Sequence, residues 1–478
     1  MKKITAIALL SALFFVGCDD FLVEEPNLSQ TTDLTLSTYS GLSNSVAGAY
    51  SPMASTYWYG CYQVLDAEMR SGNGKRPTSG DFGSGRMTVP YQMNYNESST
   101  SSLWGYAYYV ISAVNNVMEA LPNIVTDSEV SQQDLDNLEA EALFLRAFSH
   151  FDLVRTYAHA YTKGSDGMGV PVILYTDKTA MEQPARNTLK ETFDQIVEDL
   201  LAAEALIDPT HYRSSFTDAK ASVSLPAIQA LLSRAYLYMA EYQSAADYAT
   251  KVIENSAFSL WSADQIADPS ESWGVDVPSG GEVIFELYGS QSNSYDGYWE
   301  SVMYMTYPEG YGDCAASSDL YELFEADDVR GTLFVTDANE ESGGELWSTK
   351  FPGKGKSTPD VNNVIILRLS EMYLNRAEAL ANGATISGAS ALSDLNTIAT
   401  RTGASAYTAA GNANVLLERR KELAFEGHYW FDLARTKSEL SYEDSSVTRY
   451  LSATDNYWAL PIPKRETDVN SNLVQNNY

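Results

Sequence analysis

Histidine is scarce in this chain: His150, His159, His211 and His428 are the only four among 478 residues. There is no HExxH and no histidine pair at i, i+4 on one helix, which removes the ligands of a zinc hydrolase. There is also no G-x-S-x-G elbow for a serine hydrolase. Cysteine is rarer still, at three. Cys18, Cys61 and Cys314 include no CxxC and no ligand-spaced Cys/His group, so no metal site is expected. Cys61 and Cys314 are read as either two buried thiols or one disulfide. Basic residues are few, 31 against 63 acids, for a net charge of -32. Such a chain repels polyanions, and nucleic acid is excluded as a partner. Long apolar runs are missing beyond the N-terminus, so no later segment is expected to span a membrane.

The N-terminus reads as an address. Lys2 and Lys3 precede an apolar run from residue 4 to 16, then VGCDD. A positive start, a short apolar stretch and a small residue before the cut describe a secretory signal. Cys18 sits as in a bacterial lipobox, with Phe15 where leucine is usual, and is the expected lipidation site. Several acyl chains at about 0.8 kcal/mol per buried CH₂ anchor firmly. The expected organisation is a signal peptide over 1–17, an acidic extended leader over 18–40 and one domain over 41–478. That domain divides into helical parts at 41–260 and 361–478 around a loop-rich insertion at 261–360.

Helical patterns recur in pairs. LWGYAYYVISAVNNVMEAL (103–121) is ended by Pro122. SQQDLDNLEAEALFLRAFSHFDLVRTYA answers it with Leu135, Leu138, Ala142, Leu145, Phe148 and Phe151 near one face. LPAIQALLSRAYLYMAEYQSAADYATKVIEN folds back near Ala240, and Ala235, Ala245 and Ala249 permit a close crossing. The fold class expected is mainly α, a tetratricopeptide-like scaffold of helix pairs with long insertions. Residues 71–102 and 261–359 are too long and too rich in Gly, Ser, Asn and aromatics to be passive connections.

Three stretches imitate chemistry. FPGKGKST resembles a phosphate loop, but Lys350 stands where the first glycine must be, so it reads as a basic surface turn. TDANEESGGE (336–345) resembles a calcium loop with Ser342 in place of the required glycine. ERRKELAFEGHYWFDLAR (418–435) gathers acids, bases and His428. Its glutamates Glu418, Glu422 and Glu426 fall at i, i+4, i+8 and repel unless cations meet them. Arg368, Arg376 and Arg401 are the expected suppliers. The stretch reads as a buried structural joint, and His428 as a core histidine rather than a base.

Several motifs occur in order: EALFLRAFSHFDLVRTYAHAY, GVPVIL, LRLSEMYLNRAEALA, LNTIATRTGA, ERRKELAFEGHYWFDLAR and LPIPKRETDVNSNLVQN. Together they resemble the SusD/RagB family of Bacteroidetes outer-membrane lipoproteins over essentially the whole mature chain. The resemblance implies capture without catalysis and no cofactor. It implies a lipid on Cys18, an outer-membrane, cell-surface location and a SusC-like TonB-dependent transporter as partner. Oligosaccharides are the implied cargo, with peptides or another nutrient as the alternative. From other classes, a lipid-anchored glycoside hydrolase and a purely structural adaptor remain open.

Sugars stack their C–H faces on aromatic rings and bond through their hydroxyls to polar side chains. Two loop regions offer both. The N-terminal one supplies Trp58, Tyr62, Arg70 and Asn73. The insertion supplies Trp273, Tyr295, Asp296, Tyr298, Trp299 and Trp347, with Tyr304, Tyr307 and Tyr311 nearby. Trp104 and Asn115, by contrast, read as parts of the helix framework.

Overall fold

The computed structural model describes residues 32–478 except 79–84, 101, 177–181, 217, 276–280, 290–299, 309, 337–343, 355–361 and 445. The signal, Cys18 and most of the acidic leader lie outside the described residues. So do Tyr295, Asp296, Tyr298 and Trp299.

Helices dominate. In chain order the main ones are α1 (Tyr39–Ala49), α2 (Tyr62–Ser71), α3 (Leu103–Ala120), α4 (Gln132–Tyr157), α5 (Leu189–Leu206), α6 (Leu225–Tyr238), α7 (Tyr242–Ile253), α8 (Leu369–Ala381), α9 (Ala391–Thr400), α10 (Asn412–Glu422) and α11 (Tyr429–Thr436). Their starts are chemically marked. Ser131 with Asp134, and Thr188 with Glu191, form capping boxes that satisfy the first free N–H groups of α4 and α5. Ser224 caps α6, with Pro226 in its first turn.

The helices pack in series: α3 on α4, α4 on α5, α5 on α6 and α6 on α7. The α6–α7 turn passes through Ala240 at φ +55°. Ala235, Ala245 and Ala249 are fully buried at the crossing. The backbones come close enough there for Ser233 Oγ to donate to the Ala245 carbonyl at 3.0 Å. The series then continues across the insertion, because α8 packs on α7, and α9 and α10 pack on α8. Trp104 packs edge-on against Tyr157, and Asn115 accepts from Arg146 at 3.0 Å while donating to the Ile173 carbonyl. Both are framework residues, as their helix pattern indicates.

The insertions contribute the sheet. Strands are β1 (Gly74–Lys75), β2 (Val283–Leu287), β3 (Ala315–Ala316), β4 (Phe334–Thr336), β5 (Leu346–Ser348), β6 (Val364–Arg368), β7 (Leu440–Glu443) and β8 (Thr448–Leu451). Four of them form an antiparallel sheet in the order β1-β3-β5-β4. Its first strand comes from the N-terminal loop region and the other three from the insertion, so the two loop regions are stitched together by backbone pairing. β2 pairs with β6 and β7 with β8.

The 418–435 stretch is the joint between scaffold and insertion. Glu418 accepts from Arg330 at 2.6 Å and from the Tyr407 hydroxyl at 3.0 Å. Glu422 meets Arg330 at 3.0 Å and Arg368 at 2.7 Å, and also pairs with Arg401. Glu426 meets Arg368 at 2.7 Å and Lys350 at 2.5 Å. Glu282, at the entrance to β2, pairs with Arg368 at 2.5 Å and Arg401 at 2.7 Å. Burial raises the Glu422 carboxyl, but Arg401, Arg368 and Arg330 outweigh it and hold the group well below the usual range. His428 is buried too, and burial together with Arg234 and Arg419 keeps its imidazole neutral.

Two expectations about the joint need correction. Arg376 does not serve it: its guanidinium is engaged by Asp394 at 2.7 and 2.8 Å on the neighbouring helix. Arg330 and Lys350 take that role. Lys350 is therefore no part of a basic surface turn, because its ammonium is buried and donates to the Ala424 carbonyl at 2.8 Å. Residues 355–358 of the FPGKGKST stretch lie outside the described residues, as does most of the calcium-like segment.

Candidate functional site

The loop before α2 sorts its aromatics by side. Trp58 turns inward, and its indole N–H donates to Asp152 at 2.6 Å. Tyr59 is also interior, with its hydroxyl 3.3 Å from the same carboxylate. Gly60 closes the turn by donating to the Ser55 carbonyl at 3.0 Å. A Cβ at Gly60 would collide with the Ala54 carbonyl and the Ser55 backbone, so only glycine fits. With Trp58 as anchor, Tyr57 is left facing solvent at 41% exposure.

Tyr57 is the centre of an aromatic shelf. Its ring lies 5.9 Å from Tyr62 with a 23° interplanar angle, and 5.7 Å from Tyr106 with a 34° angle. The first pair is stacked and the second tilted. Tyr62 opens α2, and Tyr106 sits in the first turn of α3. Tyr109, one turn further along α3, is exposed. Three separate elements thus present rings on one surface.

The insertion supplies a polar rim. The Val302 N–H donates to the Gly60 carbonyl at 2.9 Å, which ties the short helix Val302–Thr306 to the loop. Just before it, Glu300 accepts from Arg86 at 2.6 Å and from the Tyr62 hydroxyl at 3.4 Å. The Arg86 guanidinium lies 3.9 Å over the Tyr311 ring and 3.9 Å from Asp313. Tyr311 packs edge-on against Tyr304 at 5.2 Å. Burial, with Cys61 and Glu300 nearby, pushes the Tyr62 phenol far up, so it remains a neutral donor. Arg86 is held charged, because Glu300 outweighs its desolvation. The result is apolar ring faces bordered by an acceptor carboxylate and a fixed guanidinium, the chemistry a polyhydroxylated ligand requires.

Among the described residues expected from sequence to touch ligand, Tyr62 is the one on this surface; Tyr295, Asp296, Tyr298 and Trp299 lie outside the described residues. Trp58, Arg70, Asn73, Trp273 and Trp347 are interior, and their assignment as surface contacts is corrected. Trp58 is held by Asp152. Arg70 lies 4.4 Å over the Trp430 ring. Asn73 donates to Glu68 at 2.8 Å and accepts from Arg420 at 2.8 Å. Trp273 packs edge-on against Trp261 and lies under Lys350, as an aromatic floor to the ion joint. Trp347 sits in β5 opposite Val335 and is 1% exposed. Large aromatics in loop sequence here serve as loop anchors, since burying one is worth more than displaying it. Tyr57, Tyr106, Arg86 and Glu300 escaped notice. The signal for Tyr106 and Tyr109 was their i, i+3 spacing, which puts two tyrosines on one stripe of α3. Cys61 and Cys314 are both free buried thiols.

A scaffold of serial helix pairs, with two loop regions joined into an aromatic face, defines a helical binding protein. Residues 20–237 match a family model described as starch-binding associating with outer membrane. Residues 347–478 match the SusD family model. A SusD-like protein of Formosa agariphila is 24% identical over 99% of both chains. A SusD superfamily crystal structure from Bacteroides thetaiotaomicron superposes with a TM-score of 0.81 at 29% identity, covering 92% of this chain and all of that one. A surface glycan-binding protein from the same organism shares the fold with a TM-score of 0.74 at 20% identity, over 93% of this chain and all of that one. The chain belongs to the SusD/RagB family.

Proposed function

We propose that this protein captures oligosaccharides at the cell surface and passes them to a SusC-like TonB-dependent transporter. The observation that carries this reading is the Tyr106–Tyr57–Tyr62 shelf with its Glu300–Arg86 rim. The family description, starch-binding and outer-membrane-associated, supports it. Anchoring through a lipid on Cys18 follows from the lipobox-like start. Among the described residues no helix is long and apolar enough to cross a membrane, which is compatible with an anchor of that kind. Capture rather than turnover is assigned because the rim carboxylates are engaged. Glu300 is ion-paired to Arg86, and Asp313 accepts from the Gly85 N–H at 3.0 Å. Neither is arranged as one of two acids across an open gap.

The test is calorimetric titration of the soluble form that begins after Cys18 against an oligosaccharide panel, with the mixtures assayed for cleavage. Binding without cleavage, lost in a Tyr57→Ala/Tyr106→Ala variant, is expected. Cleavage products would overturn the assignment of capture. Co-isolation with an outer-membrane β-barrel from the native cell, lost on mild detergent washing of a Cys18→Ser variant, tests anchor and partner together.

A further inference from the structure

We infer that the shelf selects uncharged glycans and rejects chains bearing uronate or sulfate groups. The inference rests on reading the shelf as the glycan site, and concerns which chemical class that site takes.

Charge at the rim is the ground. Arg86 is the cation beside the shelf, and it is already committed. Its Nε lies 2.6 Å from Glu300, its Nη1 faces Asp313 at 3.9 Å, and Tyr311 covers one guanidinium face. One cation against two carboxylates leaves this corner formally negative. At the α3 side Arg465 approaches Gly105 and is paired with Glu466 at 3.0 Å. Lys464 beside it is paired with Asp468 at 2.9 Å. The whole chain carries a net charge of -32.

An anionic sugar laid on the shelf would meet a carboxylate corner whose one guanidinium is spent. Recognition of carboxylate or sulfate normally uses an available bidentate arginine. A neutral sugar meets something suited to it. The Tyr62 bond to Glu300 Oε2 is long at 3.4 Å, which leaves that oxygen an acceptor for a sugar hydroxyl. Hydroxyl donors to a carboxylate, with C–H faces on Tyr57 and Tyr106, need no counter-charge.

The experiment titrates the soluble protein with matched pairs. Neutral malto-, cello-, manno-, galacto- and xylo-oligosaccharides are set against oligogalacturonate, oligomannuronate, sulfated galacto-oligosaccharides and glucuronate-substituted xylo-oligosaccharides. Binding confined to neutral members is expected, with affinity at least about tenfold above any anionic counterpart. That affinity should be nearly independent of salt, and Glu300→Lys should narrow the gap by admitting the anionic member. An anionic chain bound as tightly as its neutral counterpart, and lost in Tyr57→Ala/Tyr106→Ala, overturns the charge selectivity but leaves the shelf as the site. Binding of any glycan that survives that double substitution, or silence to every sugar, overturns the shelf reading itself and the selectivity with it.

Discussion

Replacing Glu422 by alanine tests whether the charged C-terminal stretch holds the fold together or takes part in binding. Glu422 meets three guanidiniums, those of Arg330, Arg368 and Arg401, and is buried. Removing one partner of a buried ion pair costs about 3–5 kcal/mol. The lower end applies here, because each cation keeps another acid. Arg330 retains Asp328 at 2.8 Å and Glu418 at 2.6 Å. Arg368 retains Glu282 and Glu426, and Arg401 retains Glu282. At about 2.1 cal/mol/K per residue, the unfolding entropy of this chain is about 1 kcal/mol/K, so a loss of ~3 kcal/mol lowers Tm by about 3 °C. The effect carries a pH signature. The Glu422 carboxyl is held below its ordinary value when folded, so its contribution is complete above that ordinary value. It fades as pH falls through the folded value. The Tm gap between wild type and variant should therefore be full near neutrality and close in acid. Differential scanning calorimetry from neutral to acidic pH reads this directly, with glycan titration as the companion assay. An unchanged Tm accompanied by weakened glycan binding would refute the assignment of this stretch as a joint.

Three further outcomes follow from contacts already described. Tyr57→Ala and Tyr106→Ala should each weaken glycan binding about five- to tenfold, about 1 kcal/mol, with helicity by circular dichroism unchanged. Trp58→Phe should do the opposite, losing the bond to Asp152 and about 1.5–3 kcal/mol of stability while glycan affinity stays level in calorimetry. Glu286→Gln addresses a buried acid pair. Asp218 and Glu286 are buried side by side, and burial, together with the hydrogen bond and charge of the Asp218 carboxyl, raises Glu286 well above the usual range. A raised carboxyl favours folding most in acid and progressively less as pH rises through the folded value. The amide variant should match wild type in acid and exceed its Tm at pH 8; a variant equal or inferior at both would show that Glu286 is not raised.

The scaffold was legible because its signals are local. Capping residues, Pro122 and the alanines of the α6–α7 crossing all act within one or two helices, whereas the one-face pattern expected of α4 does not hold, because that helix is buried nearly all round. The acidic stripe at Glu418, Glu422 and Glu426 also announced itself, since three like charges on one face require cations. Which cations was not legible. Arg330 and Lys350 reach the stripe from an irregular insertion, whereas Arg376, helical and well placed in sequence, is taken by Asp394 on the next helix. The candidate site was hard to read for a related reason. Loop tryptophans look like ligand contacts in sequence, but Trp58, Trp273 and Trp347 each anchor a backbone segment. The less conspicuous Tyr57 is exposed because Trp58 is not, and that alternation depends on the turn at Gly60. Arg86 and Glu300 are 214 residues apart and carry no periodicity that would pair them.

The ion joint also has a bearing on the order in which the chain assembles. Its members are drawn from Glu282 to Glu426, and most pairs are separated by more than fifty residues. A guanidinium or carboxylate buried alone costs several kcal/mol, so none of these groups gains by leaving water before its counterpart arrives. The insertion and the two helical parts therefore stay hydrated at their shared boundary until the 418–426 segment docks, and closure there is a late, concerted event. Refolding followed by intrinsic tryptophan fluorescence should show it, because Trp273 lies under Lys350 at the centre of the closure. Helical circular dichroism should recover ahead of the fluorescence, and simultaneous recovery would rule out a late closure.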